Sequence, residues 1–127
     1  MELVWPLCTH CIHTVLITHL LPGENVFEIH VGHTSITKHG LELFTDSQPT
    51  LFVSYEFFEY EIQTTGVSQG APWDFNYTSQ YTVQVDDFFL HYLQKESMTF
   101  ELHQAFGTEY RTIGKAVVRY EVILGFA

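Results

Sequence analysis

Positive charge is what this chain has least of. Five Lys and Arg stand against fifteen Asp and Glu, a formal net charge of -10 over 127 residues. Those five, Lys38, Lys95, Arg111, Lys115 and Arg119, are scattered singly. Binding a phosphate backbone or an acidic leaflet draws on clustered cations, so neither nucleic acid nor an acidic membrane surface is expected as a partner. The acidity itself reads in two ways, as solubility or as a preference for a basic protein patch. Cysteine is equally scarce. Cys8 and Cys11 both lie near the start of the chain, so no pair staples its body, and a reducing, cytoplasmic setting follows. Without a secretory signal, the sequon Asn76-Tyr77-Thr78 reads as chance. Catalytic patterns are missing too: there is no G-x-S-x-G, no H-E-x-x-H and no Gly-rich phosphate loop. The eight histidines are dispersed rather than gathered around a nucleophile, and no enzyme or small-molecule substrate is expected.

Long unbroken apolar runs are also absent. Residues 1–22, MELVWPLCTHCIHTVLITHLLP, come nearest, but Pro6 and three histidines interrupt them and they carry no Lys or Arg. A signal peptide needs a positive start and a continuous apolar centre, and a spanning helix needs about twenty apolar residues. The stretch is read as an apolar leader outside the domain, an alternative start or a misassigned exon. Its Cys8, His10, Cys11 and His13 are the one candidate zinc set. Their spacing is not that of a finger, and no second pair lies at finger distance. A small zinc module built on this leader stays as an alternative function.

What the chain does have is aromatic residues, 16% of the total, with 11 Phe and 7 Tyr, a usage that suits sheets. Strand periodicity appears at Val26 to Val31, Gln80 to Val85, Met98 to Leu102 and Val118 to Val122. Thr50 to Ile62 reads as a longer strand, bulged where Phe57 and Phe58 break the alternation. One helix interrupts. Asp86 or Asp87 can cap it, Phe88 with Tyr92 and Phe89 with Leu93 share faces, and it should end between Gln94 and Ser97. Turn signals fall at Gly40, Asp46 to Pro49 and Gly66 to Trp73. The expected fold is an all-β antiparallel sandwich with one short helix, occupying residues 23–127.

Between Met98 and Arg119, two alternating strands flank a polar stretch that closes on Ile113-Gly114 and reads as a ten-residue loop. Ser47-Gln48-Pro49 leads into a strand, and Ala71-Pro72-Trp73-Asp74-Phe75-Asn76 precedes another. This order resembles a C2 domain, a Greek-key sandwich. In that family the loop carries calcium aspartates, and the resemblance places three of them at His103, Ala105 and Arg111, with a fourth at Gln48. None is a carboxylate here. Calcium takes about six to eight oxygen ligands, and an arginine among them adds repulsion. The resemblance therefore implies a calcium-independent domain with no metal and no cofactor. If the loops are aligned correctly, restoring aspartate at these positions is expected to begin recovering calcium affinity.

The likeness grows closer in GENVFEIHV, in FFEYEIQTT and in FNYTSQYTVQVDDFFLHYLQKESMTFELHQAFGTEYRTI. These resemble the central C2 domain of the retinitis pigmentosa GTPase regulator-interacting protein family, which includes fantom. That resemblance implies a protein-interaction module of a cytoskeleton-associated scaffold at the ciliary transition zone, the connecting cilium of photoreceptors. It further implies a nephrocystin as partner, and roles in cilium organisation and photoreceptor maintenance. Tyr55, Glu56, Phe58, Glu59 and Tyr60 are the candidate contact residues. A phospholipid-binding C2 domain is the alternative, with Phe106 and Tyr110 as loop tips. The resemblance also implies a further strand after Leu124, so the chain is expected to be a fragment with an open sheet edge.

Overall fold

Alternating apolar residues can satisfy their backbone and bury one face only by pairing with another strand. The chain does this in two antiparallel sheets. The computed structural model describes residues 14–17, 23–70 and 72–120. The first sheet runs β1 (Thr14–Ile17), β2 (Gly23–Thr34) and β6 (Trp73–Val85). The second runs β4 (Gln63–Thr64), β3 (Thr50–Tyr55), β7 (Ser97–Phe106) and β8 (Glu109–Arg119), with β5 (Ser68–Gln69) also paired to β3. A short helix α1 (Lys38–Leu41) lies between β2 and β3, and α2 (Asp87–Lys95) carries the chain from the first sheet to the second.

The core is assembled from the inward half of each alternation. Phe27, Ile29 and Val31 of β2 are fully buried, and Tyr81, Val83 and Val85 of β6 meet them from the neighbouring strand. Leu51, Val53 and Tyr55 of β3 and Met98, Phe100 and Leu102 of β7 supply the opposing face. Burying each such side chain contributes about 1.5–3 kcal/mol. Opposite Gly32, β6 carries an extra residue, and Asn76 absorbs the bulge at φ 43°. The indole of Trp73 donates to the Pro49 carbonyl at 2.7 Å and packs so closely over Gly70 that a Cβ there would lie 2.0 Å from the ring.

Helix α2 follows its sequence signals. Asp86 is the cap, its carboxylate accepting from the Phe89 N–H at 2.9 Å, while Asp87 occupies the first turn. Phe89 and Leu93, one turn apart, are buried.

Three segments differ from the sequence expectation. The strand read over Thr50 to Ile62 ends at Tyr55, and the chain turns through residues 56–62 before β4 pairs back onto β3. Tyr55 and Phe57 both face the core, so Phe58 cannot follow in extended geometry without pointing outward. It takes φ 52° instead, and its ring lies against Phe89 and Tyr92 at 5.4 and 4.8 Å. The polar loop read before Ile113-Gly114 is a hairpin: His103 to Phe106 pair with Glu109 to Thr112 around Gly107-Thr108. Gly107, at φ 61°, occupies the first turn position, where a tight hairpin of the II′ kind needs glycine. Lastly, Thr14–Ile17, within the stretch read as leader, pairs antiparallel with Phe27 to His30 of β2. The zinc candidates Cys8, His10, Cys11 and His13 lie outside the described residues, as does Val122.

Candidate functional site

The hairpin of β7 and β8 carries three of the positions that the resemblance assigns to calcium aspartates, His103, Ala105 and Arg111. Pairing runs His103 to Thr112, Gln104 to Arg111 and Ala105 to Tyr110. Because side chains alternate across a ladder, His103 and Ala105 project from one face and Arg111 from the other. His103 is 4% exposed, and both its ring nitrogens are engaged. Nε2 lies 2.7 Å from the Ser54 hydroxyl and Nδ1 2.9 Å from the Thr112 hydroxyl. Phe52 stacks on the ring at 4.8 Å. Burial holds this imidazole below the usual histidine range, although Glu101 pulls the other way. Arg111 donates twice to Gln104 Oε1, at 3.0 and 3.2 Å, and its guanidinium sits 5.5 Å from the Phe106 ring centre. Gln48 lies in the exposed turn before β3, where its backbone N–H donates to Asp46 Oδ1 at 2.9 Å. Among the described residues, no group of three or more His, Cys, Asp or Glu is placed to hold a metal ion.

A different arrangement forms at the other end of the sandwich. The turn at 56–62, the last residues of β6 and the first turn of α2 enclose a groove of about 390 Å³. Phe58 and Tyr60 come from the turn, Phe88 from the helix, and Thr82 to Gln84 form the strand between them. Glu24, Glu59 and Asp86 also line it. The Tyr60 hydroxyl donates to the Thr82 carbonyl at 2.5 Å, and the Phe58 N–H donates to the Tyr92 hydroxyl at 3.1 Å, so both bonds fix the turn. Phe88 nevertheless stays 65% exposed and Tyr60 37%.

Of the contact residues read from sequence, Phe58, Glu59 and Tyr60 meet in this groove, and Glu56 is exposed beside them. Tyr55 is a core residue. It is 1% exposed, its hydroxyl lies 2.6 Å from the Ser79 hydroxyl, and burial pushes its ionisation far up. Sequence reasoning placed Phe88 and Asp86 on the helix but did not join them to the turn. The available signal was an aromatic at an outward helical position next to a buried one.

Residues 17–125 match a family described as the first C2 domain of RPGR-interacting protein 1. This chain belongs to that C2 family. It is 40% identical over 106 residues to mouse X-linked retinitis pigmentosa GTPase regulator-interacting protein 1, and 36% identical over 108 residues to the human protein. These alignments cover 84% and 85% of this chain and 8% of each relative's length, so the C2 domain described here corresponds to a small part of those proteins. Protein fantom of Caenorhabditis elegans is 27% identical over 67 residues, 53% of this chain and 5% of that protein. Among solved structures, a chain from a structure of CC2D1B superposes with a TM-score of 0.64 at 18% identity. It covers 81% of this chain and 43% of that one, a likeness of fold alone. The C2 sandwich expected from sequence is thus the observed architecture. No helix among the described residues of this C2 domain is long and apolar enough to cross a membrane.

Proposed function

We propose that this C2 domain is a calcium-independent protein-docking module, with no catalytic role, of a scaffold at the ciliary transition zone or connecting cilium. A nephrocystin is its proposed partner, through a surface that includes Glu56, Phe58, Glu59 and Tyr60. The observation that carries the calcium part is the divergence of the degenerate positions. His103 and Arg111 project from opposite faces of one ladder, and His103 is already bonded at both nitrogens. A single ion has nothing to gather there. The docking part is supported by the family, whose relatives are named for interaction with a GTPase regulator.

A second reading rests on the hairpin tip, where Phe106 and Tyr110 are 49% and 62% exposed and suit insertion into a lipid interface. The net charge of -10 opposes approach to acidic lipid. Co-precipitation with a nephrocystin, in calcium and in chelator, tests the first reading, and sedimentation with neutral and acidic vesicles tests the second. Equal capture with and without calcium is the expected result. Capture that requires calcium overturns the calcium-independent reading. Sedimentation with vesicles and no protein capture moves the domain to the membrane reading.

A further inference from the structure

The groove at the start of α2 has a chemistry that narrows what can fill it. Its walls are aromatic: Phe58, Tyr60 and Phe88 present ring surface, and Phe88 is 65% exposed. Its charged lining is of one sign, from Glu24, Glu59 and Asp86, and among the described residues no Lys, Arg or His lines it. Aromatic faces carry negative potential and attract a cation held within about 6 Å of the ring centre. Carboxylates beside such faces add the same sign of field, and low-dielectric walls concentrate it. An acidic or purely apolar segment meets repulsion or leaves the carboxylates unpaired.

Arginine suits this lining better than lysine. Its guanidinium is planar, stacks on rings and donates in a fixed fork to carboxylate oxygens, whereas the lysine ammonium is a compact and strongly hydrated point charge. Asp86 spends Oδ1 on the Phe89 N–H, leaving its second oxygen free of the helix cap. The wall is held before any ligand arrives, by the Tyr60 to Thr82 and Phe58 to Tyr92 hydrogen bonds, so little ordering is needed on binding. A volume of about 390 Å³ lies at the small end of ligand sites, room for one or two long side chains of an extended segment.

We propose that the groove between Phe58, Tyr60 and Phe88 receives an arginine-bearing extended segment of a partner protein, the guanidinium stacking on the rings and bonding the Glu59 and Asp86 carboxylates. This rests on the docking reading and specifies its chemistry. The test uses the full chain labelled with ¹⁵N and three synthetic peptides of matched length, with arginine, lysine or glutamate spaced by Gly and Ser. Saturable shifts confined to Glu59, Thr82 to Gln84 and Phe88 are expected with the arginine peptide, roughly tenfold weaker binding with lysine, and none with glutamate. Phe88→Ala, at an exposed position, should weaken arginine binding at least tenfold. Glu109→Gln, at the hairpin tip on the opposite end, should leave it unchanged. Equal weakening by both variants, or shifts spread over the acidic surface, overturns the proposal in favour of unspecific charge attraction. If native protein captures the nephrocystin and Phe88→Ala captures it equally, with no arginine-peptide binding, the groove assignment fails while docking stands. If native protein captures nothing, the docking reading itself fails.

Discussion

His103 shows how a buried imidazole can satisfy both ring nitrogens from neighbouring hydroxyls. The neutral imidazole offers one donor and one acceptor, and the hydroxyls of Ser54 and Thr112 can each play either part, so the ring is satisfied without a charge. Because burial lowers its folded pKa below the ordinary value of about 6.5, the unfolded chain takes up a proton that the folded one refuses. The resulting stability is complete above that ordinary value and declines as pH falls from there towards the lowered folded pKa. Denaturation midpoints measured from pH 7.5 down to 5.5 should fall, and the fall should shrink in His103→Gln. The same residue governs the expectation about calcium. Aspartate at His103, Ala105, Arg111 and Gln48 puts carboxylates on both faces of a paired hairpin rather than around one point. The quadruple variant should show no calcium heat in calorimetry and a lower melting temperature, because a buried carboxylate loses the two hydroxyl partners of the imidazole.

At the level of elements, what could be read from sequence depended on whether the signal was local. Helix α2 was legible almost to its ends because the Asp86 cap and the Phe88–Tyr92 and Phe89–Leu93 spacings all act within the helix. Its cap is testable: Asp86→Ala should cost about 1 kcal/mol, seen in urea melts. The β7–β8 hairpin was misread because Glu109, Tyr110, Arg111 and Thr112 are all exposed, and a strand wet on both faces has the composition of a loop. The bulge at Ile113, between the Leu102–Gly114 and His103–Thr112 pairs, also breaks the alternation that would have exposed it. Gly107 was the remaining clue. Alanine there meets no atom within 4 Å but must hold φ 61°, which costs about 1–2 kcal/mol. Gly107→Ala should lower the melting temperature, and Gly107→Asn should lower it less, since asparagine tolerates that region. The groove was half legible for a related reason. Phe58, Glu59 and Tyr60 are contiguous, whereas Glu24, Asp86 and Phe88 reach them only through pairing of β2 with β6 and the packing of α2.

Across the whole molecule, the two sheets are joined by rings. Phe27 of the first sheet stacks on Phe57, just past β3, at 4.2 Å, and meets Phe89 of α2 and Tyr120 beyond β8 edge-on at 6.2 and 6.4 Å. One side chain of the first sheet thus touches the linking helix and the segments that leave β3 and β8 of the second. Such a contact makes the elements stand or fall together, because neither sheet keeps its buried face if the other leaves. Truncating a buried phenylalanine costs about 3–5 kcal/mol, a large share of the roughly 5–15 kcal/mol that holds a domain. Phe27→Ala should therefore lower the urea midpoint sharply while far- and near-ultraviolet circular dichroism still report one coincident transition. Val117→Ala, on the outer strand and 47% exposed, should change stability by no more than about 0.5 kcal/mol. Separate transitions in Phe27→Ala, with sheet signal surviving after aromatic packing is lost, would mean that the sheets are stable apart and that the ring cluster is not what unites them.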